Sequence, residues 1–587
     1  MANYSQEKRL GELFTPLGKD ALLLQEFSGV ELVNGINEFH VTALTPKGKV
    51  DVKKLIGTWM RVDIVSSPSV TRVFHQICFG ASLVSESEEG SVYEFLLRPW
   101  FWALGMRTNS RIFSQLTVVE IVKKICAEYD GFVDDRSDAG LPILEYVVQF
   151  CETDLQFARR LLEESGINFH CEMEEKKHSL VLTSDISSFA QAKGSPRHDP
   201  GGNFGSDNYE TIATWAEQNV FTTSSVKMMD YNFTAPTKGM NVEKAGKSPN
   251  QFMNLEYYEY PGRYGEKADG NAIGQRRLDA IKTGESLIDT TGDAPCLGAG
   301  MKFTFRSEHE AVLNGEYGVL KAHHQMSNSD FRSGGQGSAS YSGSYVLSHA
   351  DNPVAPLLTT TRPRMMGPQT AIVCDGGDGN VDKYGRIIVK FHWDTNAQSM
   401  PCRVSQSWAG PNWGAVFIPH TGMEVIVDFI GGDPDRPIIM GCVYNGDNMP
   451  PWPLPDKKTI SGVKTVTANE ISFDDLVGKE LINIDAKKNF TVHVTEDHTI
   501  EVDKKRVIKV HETETTTVDK TLTIESKQEI ILKVGSSKIT MKEGSISIEA
   551  MAIDVKASTS LKTNGGTDAK HEAGGMMTIQ ATLVKIN

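Results

Sequence analysis

Two short segments of this 587-residue chain begin like catalytic motifs. Residues 309–313 read His-Glu-Ala-Val-Leu, which starts like the His-Glu-x-x-His helix of zinc proteases, but Leu313 stands where the second zinc ligand is needed. Residues 284–288 read Gly-Glu-Ser-Leu-Ile, which starts like a nucleophile elbow, but Ile288 replaces the glycine that allows its sharp turn. We interpret the first segment as an exposed polar loop and the second as a helix end. We therefore predict no catalytic residue.

Candidate metal ligands are also incomplete. Residues 375–382, Asp-Gly-Gly-Asp-Gly-Asn-Val-Asp, match neither an EF-hand loop nor a glycine-rich calcium repeat, which favours a hairpin loop with only weak, incidental calcium binding. His323 and His324 are adjacent, and adjacent side chains on a strand face opposite ways. The 8 cysteines include no Cys-x-x-Cys pair, which favours free, mostly buried thiols over a zinc site. We predict no metal and no cofactor.

The overall composition indicates a multidomain globular protein. Hydrophobic residues make up 39% and charged residues 23%, and the length suggests about four domains. Asp and Glu number 75 against 60 Lys and Arg, a net charge of −15, which opposes nucleic-acid or anionic-membrane binding as the main role. No apolar signal-peptide segment follows the N-terminus, and no window reaches the length of a membrane span. We expect assembly in the cytoplasm, no nucleic-acid partner, and export by a route other than a signal peptide.

The elements that would position these residues mix short strands with a few helices. Apolar residues at helical spacing predict a helix over residues 114–129. A second helix is predicted after Thr153, which begins a capping box, and Gly166 is its expected stop. A third is predicted near residues 271–283. Nine of the twelve residues at 333–344 are Ser or Gly, which predicts a flexible surface loop.

Residues 369–450 have the pattern of a small β-barrel. Strand-like runs such as 386–391 and 424–429 are separated by Gly, Pro and Asp at close spacing. Residues 450–455 then read Pro-Pro-Trp-Pro-Leu-Pro. Because proline lacks the amide hydrogen that a sheet requires, this run predicts a stiff boundary.

An eight-residue repeat from about 484 to 556 is the most informative pattern in the chain. Four residues with alternating apolar side chains are followed by four polar residues, which predicts a short strand and then a corner. The apolar side chains fall into two columns, interrupted at Thr516, Ser526 and Thr540. The first column comprises Ile484, Val492, Ile500, Ile508, Ile524, Leu532 and Ile548, and the second comprises Val494, Val502, Val510 and Val518.

This period predicts a homotrimer. One strand and one corner form only one side of a hollow prism, so a single chain would leave both columns and its strand edges exposed. Three chains, each supplying one side, would bury the columns around a common axis and pair every edge. At about 4.8 Å per octad the needle would be about 40 Å long. A stack of amphipathic hairpins and amyloid-like pairing are the alternatives, but neither favours four consecutive octads with charged corners.

Several motifs give the chain a resemblance to a known family. The chain resembles the VgrG family, the trimeric spikes of type VI secretion systems, which are related to the hub and spike proteins of contractile phages. The motifs that carry the resemblance are Leu-Arg-Pro-Trp at 97–100, Ser-Arg-Ile-Phe at 110–113, Leu-Leu-Glu-Glu-Ser-Gly at 161–166, Glu-Tyr-Pro-Gly-Arg-Tyr at 259–264, Asn-Gly-Glu-Tyr at 314–317, Asp-Lys-Tyr-Gly-Arg at 382–386, Phe-His-Trp-Asp at 391–394, Trp-Gly-Ala-Val-Phe-Ile-Pro at 413–419, Gly-Asp-Pro-Asp-Arg-Pro at 432–437 and Val-Tyr-Asn-Gly at 443–446.

The resemblance implies a mainly β fold with some α-helix in four parts. These are a phage-hub-like region of two β-barrel subdomains at 1–368, an OB-fold barrel at 369–450, a proline-rich neck at 451–470, and an intertwined triple-stranded β-helix, or β-prism, with a blunt tip at 471–587. It also implies a role, a non-enzymatic spike that caps the hexameric Hcp tube, contacts baseplate proteins, carries effector cargo and punctures target envelopes when the sheath contracts. A PAAR-repeat protein would bind apolar tip residues, namely Met577, Ile579, Leu583, Val584 and Ile586.

Two departures from the family bear on function. Val-Gly repeats are sparse here, with Val534-Gly535 as an isolated instance in the needle, and we expect the prism to form without them. Little length follows the repeat, so we expect no C-terminal toxin domain, and the segment at 451–470 is too short for an inserted lysozyme. The alternatives are a carrier with an embedded enzymatic effector activity and the puncturing hub of a phage-like contractile tail.

Overall fold

The computed structural model describes residues 4–586 except 47, 68–69, 89, 138–139, 195, 201–209, 247–252, 309, 329–338 and 376–380. The chain forms two units, one of Met1–Lys464 with Glu470–Ile484 and one of Thr465–Asn469 with Asp485–Asn587. None of the helices in the described part combines the length and apolar character that a membrane-spanning helix needs.

The described part of residues 1–368 contains 21 strands, and 13 of them form one sheet. They are β1 (Gly11–Phe14), β2 (Leu23–Leu32), β3 (Glu38–Thr45), β4 (Trp59–Ser67), β5 (Val70–Ser87), β6 (Gly90–Arg98), β7 (Thr108–Leu116), β8 (Val133–Arg136), β9 (Leu144–Thr153), β10 (Asn168–Met173), β11 (His178–Thr183), β12 (Ala190–Gln191), β13 (Arg197–His198), β14 (Thr211–Asn219), β15 (Ser225–Met228), β16 (Val242–Ala245), β17 (Glu256–Glu259), β18 (Ser286–Gly292), β19 (Met301–Phe305), β20 (Gly315–Ser327) and β21 (Ser340–His349). The sheet order is β1-β4-β5-β6-β3-β2-β20-β21-β18-β14-β13, with β19 beside β20 and β12 beside β19.

Strand β20 joins the two halves of the hub-like region into one sheet. Its first residues, from Gly315 to Gly318, pair with β19, and its last, from Lys321 to Ser327, pair with β2. Two separate apolar cores lie along this continuous sheet, because one 13-residue strand is long enough to belong to both halves. The division into two barrel-like subdomains, which the resemblance implied, stays a prediction.

The α-helices of the described residues are α1 (Val118–Ala127), α2 (Asp154–Ser165) and α3 (Lys267–Thr283). The capping box at Thr153 and the left-handed stop at Gly166 (φ 67°) are confirmed. The helix predicted over 114–129 is shorter than expected. Its first residues belong to β7, because Thr117 caps the helix by accepting a hydrogen bond from the Glu120 amide.

The predicted Ser/Gly loop is only partly testable. Residues 333–338 lie outside the described residues. Residues 340–344 belong to β21, so the prediction is wrong there, since Ser and Gly at these positions pair with β20 and β18 in the sheet interior.

The barrel predicted in the middle of the chain is present. Its strands are β22 (Gln369–Val373), β23 (Ile387–Phe391), β24 (Met400–Val404), β27 (Glu424–Phe429) and β28 (Pro437–Val443), and a short hairpin of β25 (Ala409–Gly410) and β26 (Trp413–Gly414) is inserted between β24 and β27. They close in the order β22-β23-β24-β28-β27. Alternate side chains fill the interior, as the period of two requires.

Two three-stranded sheets lie in the C-terminal part. The first comprises β29 (Ile460–Lys464), β30 (Glu470–Asp474) and β31 (Leu481–Asp485), and the second comprises β32 (Glu529–Val534), β33 (Ser537–Lys542) and β34 (Ser545–Glu549). Strand β29 begins inside the segment expected to be a neck, because Ile460 pairs with Asp474 across the sheet. Residues 486–528, all of them described, form no strand pairs within the chain.

A buried pair of histidines links three elements of the hub-like region. The Trp100 amide donates to His178 Nε2 at 2.7 Å, so the proton of neutral His178 lies on Nδ1, 3.1 Å from His75 Nδ1. Burial, and then the neighbouring His75, lower the pKa of His178 from 6.5 to about 3. The arrangement is therefore stable only while His178 is neutral.

We predict that the hub-like region loses stability in acid through this pair. The pKa of His178 is lower in the folded state than in the unfolded state. Its contribution to the free energy of unfolding is therefore fully present above pH about 6.5 and is lost progressively as the pH falls towards 3. The total loss is about 5 kcal/mol. Denaturant unfolding from pH 7 to about 3.5 measures this dependence. His178→Gln should flatten it, whereas His323→Gln at an exposed position should not, and an unchanged slope in His178→Gln would contradict the assignment.

Candidate functional site

The part of the chain that follows β31, which we call the needle segment, bends at regular eight-residue intervals. Bends fall at 487–488, 495–496, 503–504, 511–512, 519–520 and 527–528, and turns continue the spacing at 535–536 and 543–544. The period that the sequence predicts is therefore present in the backbone of a single chain. Six residues separate successive corners, which is enough for one short strand and no more.

The predicted core residues are exposed in the single chain. The exposed fraction runs from 44% at Val494 to 67% at Ile524. The eleven residues are Ile484, Val492, Val494, Ile500, Val502, Ile508, Val510, Val518, Ile524, Leu532 and Ile548. Two rows of exposed Val, Ile and Leu on one segment form an apolar surface of the kind that marks an interface.

The predicted tip residues are exposed as well. They follow the bends at 566–567 and 574–575 and lie on both sides of the bend at 582. The exposed fraction is smallest at Val584, 46%, and largest at Ile586, 88%, and the set is Met577, Ile579, Leu583, Val584 and Ile586. Their roles as trimer core and as tip stay predictions.

The structure describes parts of the motifs that resembled sites of chemistry. Gly284 ends α3, as expected. His323 is exposed while His324 is buried, with Nε2 2.9 Å from Glu31 Oε1, so the two rings do face opposite ways. His309 and residues 376–380 lie outside the described residues. Within the described ranges, no three His, Cys, Asp or Glu side chains are grouped closely enough to hold a metal ion.

The junction between the hub-like region and the barrel is a second site of functional interest, because the barrel core continues into the hub. Ile112 of β7 and Val148 of β9 pack into the barrel's apolar core. Their backbone amides donate to carboxylates of the barrel, Ile112 to Asp394 Oδ1 at 2.9 Å and Val148 to Asp435 Oδ1 at 2.7 Å. Buried hydrogen bonds to charged acceptors fix this joint in position and orientation.

One arginine ties three carboxylates together at the same junction. Arg362 donates to Glu164 Oε2 at 2.8 Å, to Asp433 Oδ1 at 3.0 Å and to Asp435 Oδ2 at 2.6 Å. Burial alone would raise the pKa of Glu164, but the positive charges of Arg362, Arg160 and Arg263 and the hydrogen bonding from Arg362 together outweigh burial and lower that pKa to about 2. The network lines a cavity of about 740 Å³ between hub and barrel.

The sequence offered one signal for this network. Asp433 and Asp435 lie in the charge-dense Gly-Asp-Pro-Asp-Arg-Pro segment at 432–437, which contributes to the family resemblance but does not by itself indicate a partner. Arg362 stands alone between prolines and threonines, and no local pattern distinguishes it.

Matches to known families cover most of the chain. Residues 31–330 match the phage tail baseplate hub (GPD) family, and residues 369–444 match the type VI secretion system/phage-baseplate injector OB domain. Residues 457–565 match the bacteriophage T4 gp5 C-terminal trimerisation domain. The type VI secretion system spike protein VgrG1a of Pseudomonas aeruginosa is 30% identical across 98% of this chain and 96% of its own length.

This chain belongs to the VgrG family. A second P. aeruginosa relative, VgrG1c, is 32% identical across 84% of this chain and 70% of its own length. An E. coli type VI secretion component with structural similarity to the T4 phage tail proteins gp27 and gp5 superposes with a TM-score of 0.54 at 18% identity, covering 74% of this chain and all of that one. A chain of a Francisella PdpA–VgrG complex gives 0.53 at 8% identity, covering 92% and 88%.

These likenesses confirm the predicted family and fold class. The OB-fold expected in the middle of the chain agrees with the matching domain and with the closed five-stranded barrel. The C-terminal trimerisation domain agrees with the octad repeat. The chain is a structural spike protein of the type VI secretion system, and its C-terminal part matches the trimerisation domain of phage T4 gp5.

We predict that Arg362→Ala weakens the hub–barrel joint. Removing the arginine leaves three carboxylates with little exposure beside one another, which costs about 3–5 kcal/mol. Chemical denaturation at pH 7 measures the loss in unfolding free energy. Arg364→Ala, a substitution two residues away and outside the network, is the matched control and should change it by less than about 0.5 kcal/mol. Equal effects of the two substitutions would refute the role of the network.

Proposed function

We propose that three copies of this chain form a non-enzymatic spike that transmits force along a braided needle. The observation that carries the proposal is the run of bends at eight-residue spacing, with both apolar columns exposed in the single chain. Burying the columns around a threefold axis removes this surface from water, and the strand edges then pair between chains. A match to a phage trimerisation domain over 457–565 supports the same arrangement.

Stiffness is the physical requirement of such a device. In a braided prism, each level is held by hydrogen bonds to the levels above and below and by apolar contacts across the axis. A load along the axis is then shared by many short strands and does not act on a single hinge. The Arg362 network and the shared apolar core would hold the hub-like region and the barrel rigidly together.

The remaining partners follow from the family resemblance. The hub-like region would cap the hexameric Hcp tube and contact baseplate proteins, and the exposed tip residues would bind a PAAR-repeat protein. Effector cargo would travel with the spike. Assembly would occur in the cytoplasm, and delivery by the secretion system would follow sheath contraction.

An enzymatic role has less support. A relative called actin cross-linking toxin VgrG1, from Vibrio cholerae, is 29% identical across 86% of this chain, but the match covers only 47% of that protein. Its activity is therefore not carried over to this chain. The described residues in the needle segment contribute apolar columns and charged corners, which suit a mechanical part.

The needle core is tested by Ile500→Asp combined with Val502→Asp. Each trimer would then bury six carboxylates near its axis, a cost of many kcal/mol, so the three-chain particle should dissociate or lose at least about 10 °C in melting temperature. Sedimentation velocity and calorimetry measure both quantities.

The matched control is Thr491→Asp combined with Thr499→Asp. These two residues occupy the outward positions of neighbouring octads and add the same negative charge. The control should remain a trimer of nearly unchanged heat resistance. A core variant that behaves like the control would contradict the buried columns.

The tip is tested by Ile579→Asp combined with Leu583→Asp in the full chain. If a PAAR-repeat protein covers these side chains, charge at both positions should weaken its binding at least about 100-fold. Fluorescence titration with a labelled PAAR-repeat protein measures the affinity. Gln580→Asp combined with Thr582→Asp is the neighbouring control, and equal affinities for the two variants would place the contact elsewhere.

A further inference from the structure

The needle segment changes its architecture at residues 529–549. From residue 486 to 528 the chain bends at each corner without pairing to itself, but here it reverses twice. Strand β32 pairs antiparallel with β33 and β33 pairs antiparallel with β34, so that Leu532, Ile539 and Ile548 lie directly opposite one another. The turns keep the eight-residue spacing of the earlier corners, but the chain reverses its direction at each of them.

Glycine at two successive corners explains the reversals. From 487 to 544, the corners at 535–536 and 543–544 are the two that contain glycine, and Gly535 (φ 56°) and Gly544 (φ 83°) both adopt positive φ. A two-residue hairpin requires such a conformation, which glycine adopts without strain. The other corners carry Lys, Thr, Glu, Asp, His and Gln, which favour a simple bend.

The resulting three-stranded meander has two unlike faces. One face is mainly apolar and carries Ile530 and Leu532 of β32, Ile539 and Met541 of β33, and Ile546 and Ile548 of β34. The opposite face carries Ile531 but is otherwise polar, with two cross-strand ion pairs, Lys538 to Glu549 at 3.5 Å and Lys542 to Glu529 at 3.7 Å. The polar face suits water, whereas the apolar face is open, with Ile546 exposed by 69%.

We propose that residues 529–549 form a clasp, a meander made within each chain whose apolar face packs against the same face of two other copies. The proposal rests on the trimeric spike proposed above and adds a second kind of interface to it. Its occupant is a copy of this chain, because the clasp lies inside the segment that matches a trimerisation domain and continues the apolar columns of the braided strands.

The clasp differs from the braid in what it needs in order to form. A braided octad has no hydrogen-bonded edge until two other chains arrive, whereas the meander pairs its own strands across two short turns, and closing short loops costs little entropy. Three preformed clasps then present matching apolar faces, and their docking aligns the chains at the same residue. The clasp thus sets the register for the octads that precede it, where a slip by one octad would otherwise cost little.

The experiment combines Lys533→Cys with Lys538→Cys in the full chain. These residues are directly opposed across the first hairpin and lie on the face away from the proposed interface. Opposed positions are close enough for a disulfide, so oxidation should join them within one chain, which peptide mapping identifies. Lys509→Cys with Glu514→Cys flanks an ordinary corner at 511–512 in the same way and should give no bond within the chain.

A second arm tests the docking face through adjacent residues of β33. Ile539→Asp puts charge on the apolar face and should slow refolding of the trimer at least about tenfold, whereas Thr540→Asp puts the same charge on the opposite face and should change the rate less than about twofold.

The outcomes separate this inference from the proposed function. A wild-type protein without a three-chain mass refutes the spike itself. If the protein has a three-chain mass but the engineered disulfide between positions 533 and 538 forms only between chains, the proposed spike is retained and the clasp is refuted. The same conclusion holds if the two β33 variants refold at equal rates.

Discussion

A strand of four residues cannot complete its hydrogen bonds inside its own chain when a corner follows it every eight residues. That constraint governs the C-terminal part of this protein. The backbone of 486–528 keeps the period without any internal pairing, and its Val and Ile side chains stay in contact with water. In the proposed trimer, two further copies would meet both deficits at once, the unpaired edges and the exposed apolar columns. The family match to a trimerisation domain is the expected consequence of this chemistry.

The proposed needle could transmit force only if the hub-like region and the barrel are also rigid. The barrel meets this need by sharing its core with β7 and β9, and by accepting hydrogen bonds from their backbone amides through Asp394 and Asp435. Arg362 adds charge pairing across the same junction and, together with Arg160 and Arg263, lowers the pKa of Glu164 to about 2. The junction between the hub-like region and the barrel is therefore stabilised by a filled core and by ion pairs. The proposed needle would be stabilised by a strand and corner that repeat every eight residues.

Much of this architecture could be predicted from the sequence because its signals are local or periodic. The octads, the capping box at Thr153, the stop at Gly166 and the closed barrel each arise from short-range spacing. Features that depend on distant pairing could not be predicted in this way. The sequence does not show that β20 bridges two halves of a sheet, or that Arg362 meets three carboxylates far along the chain. The reversals at Gly535 and Gly544 were visible in the sequence only as glycines, and a count of octads does not indicate that the chain changes direction there.

The most direct test of the trimer is the mass of the full chain in solution, measured by light scattering coupled to size exclusion at neutral pH. One chain has a mass of 64.6 kDa, and the braided spike requires three times that value across a range of protein concentrations. A particle of 64.6 kDa that remains soluble with its apolar columns exposed would contradict the account.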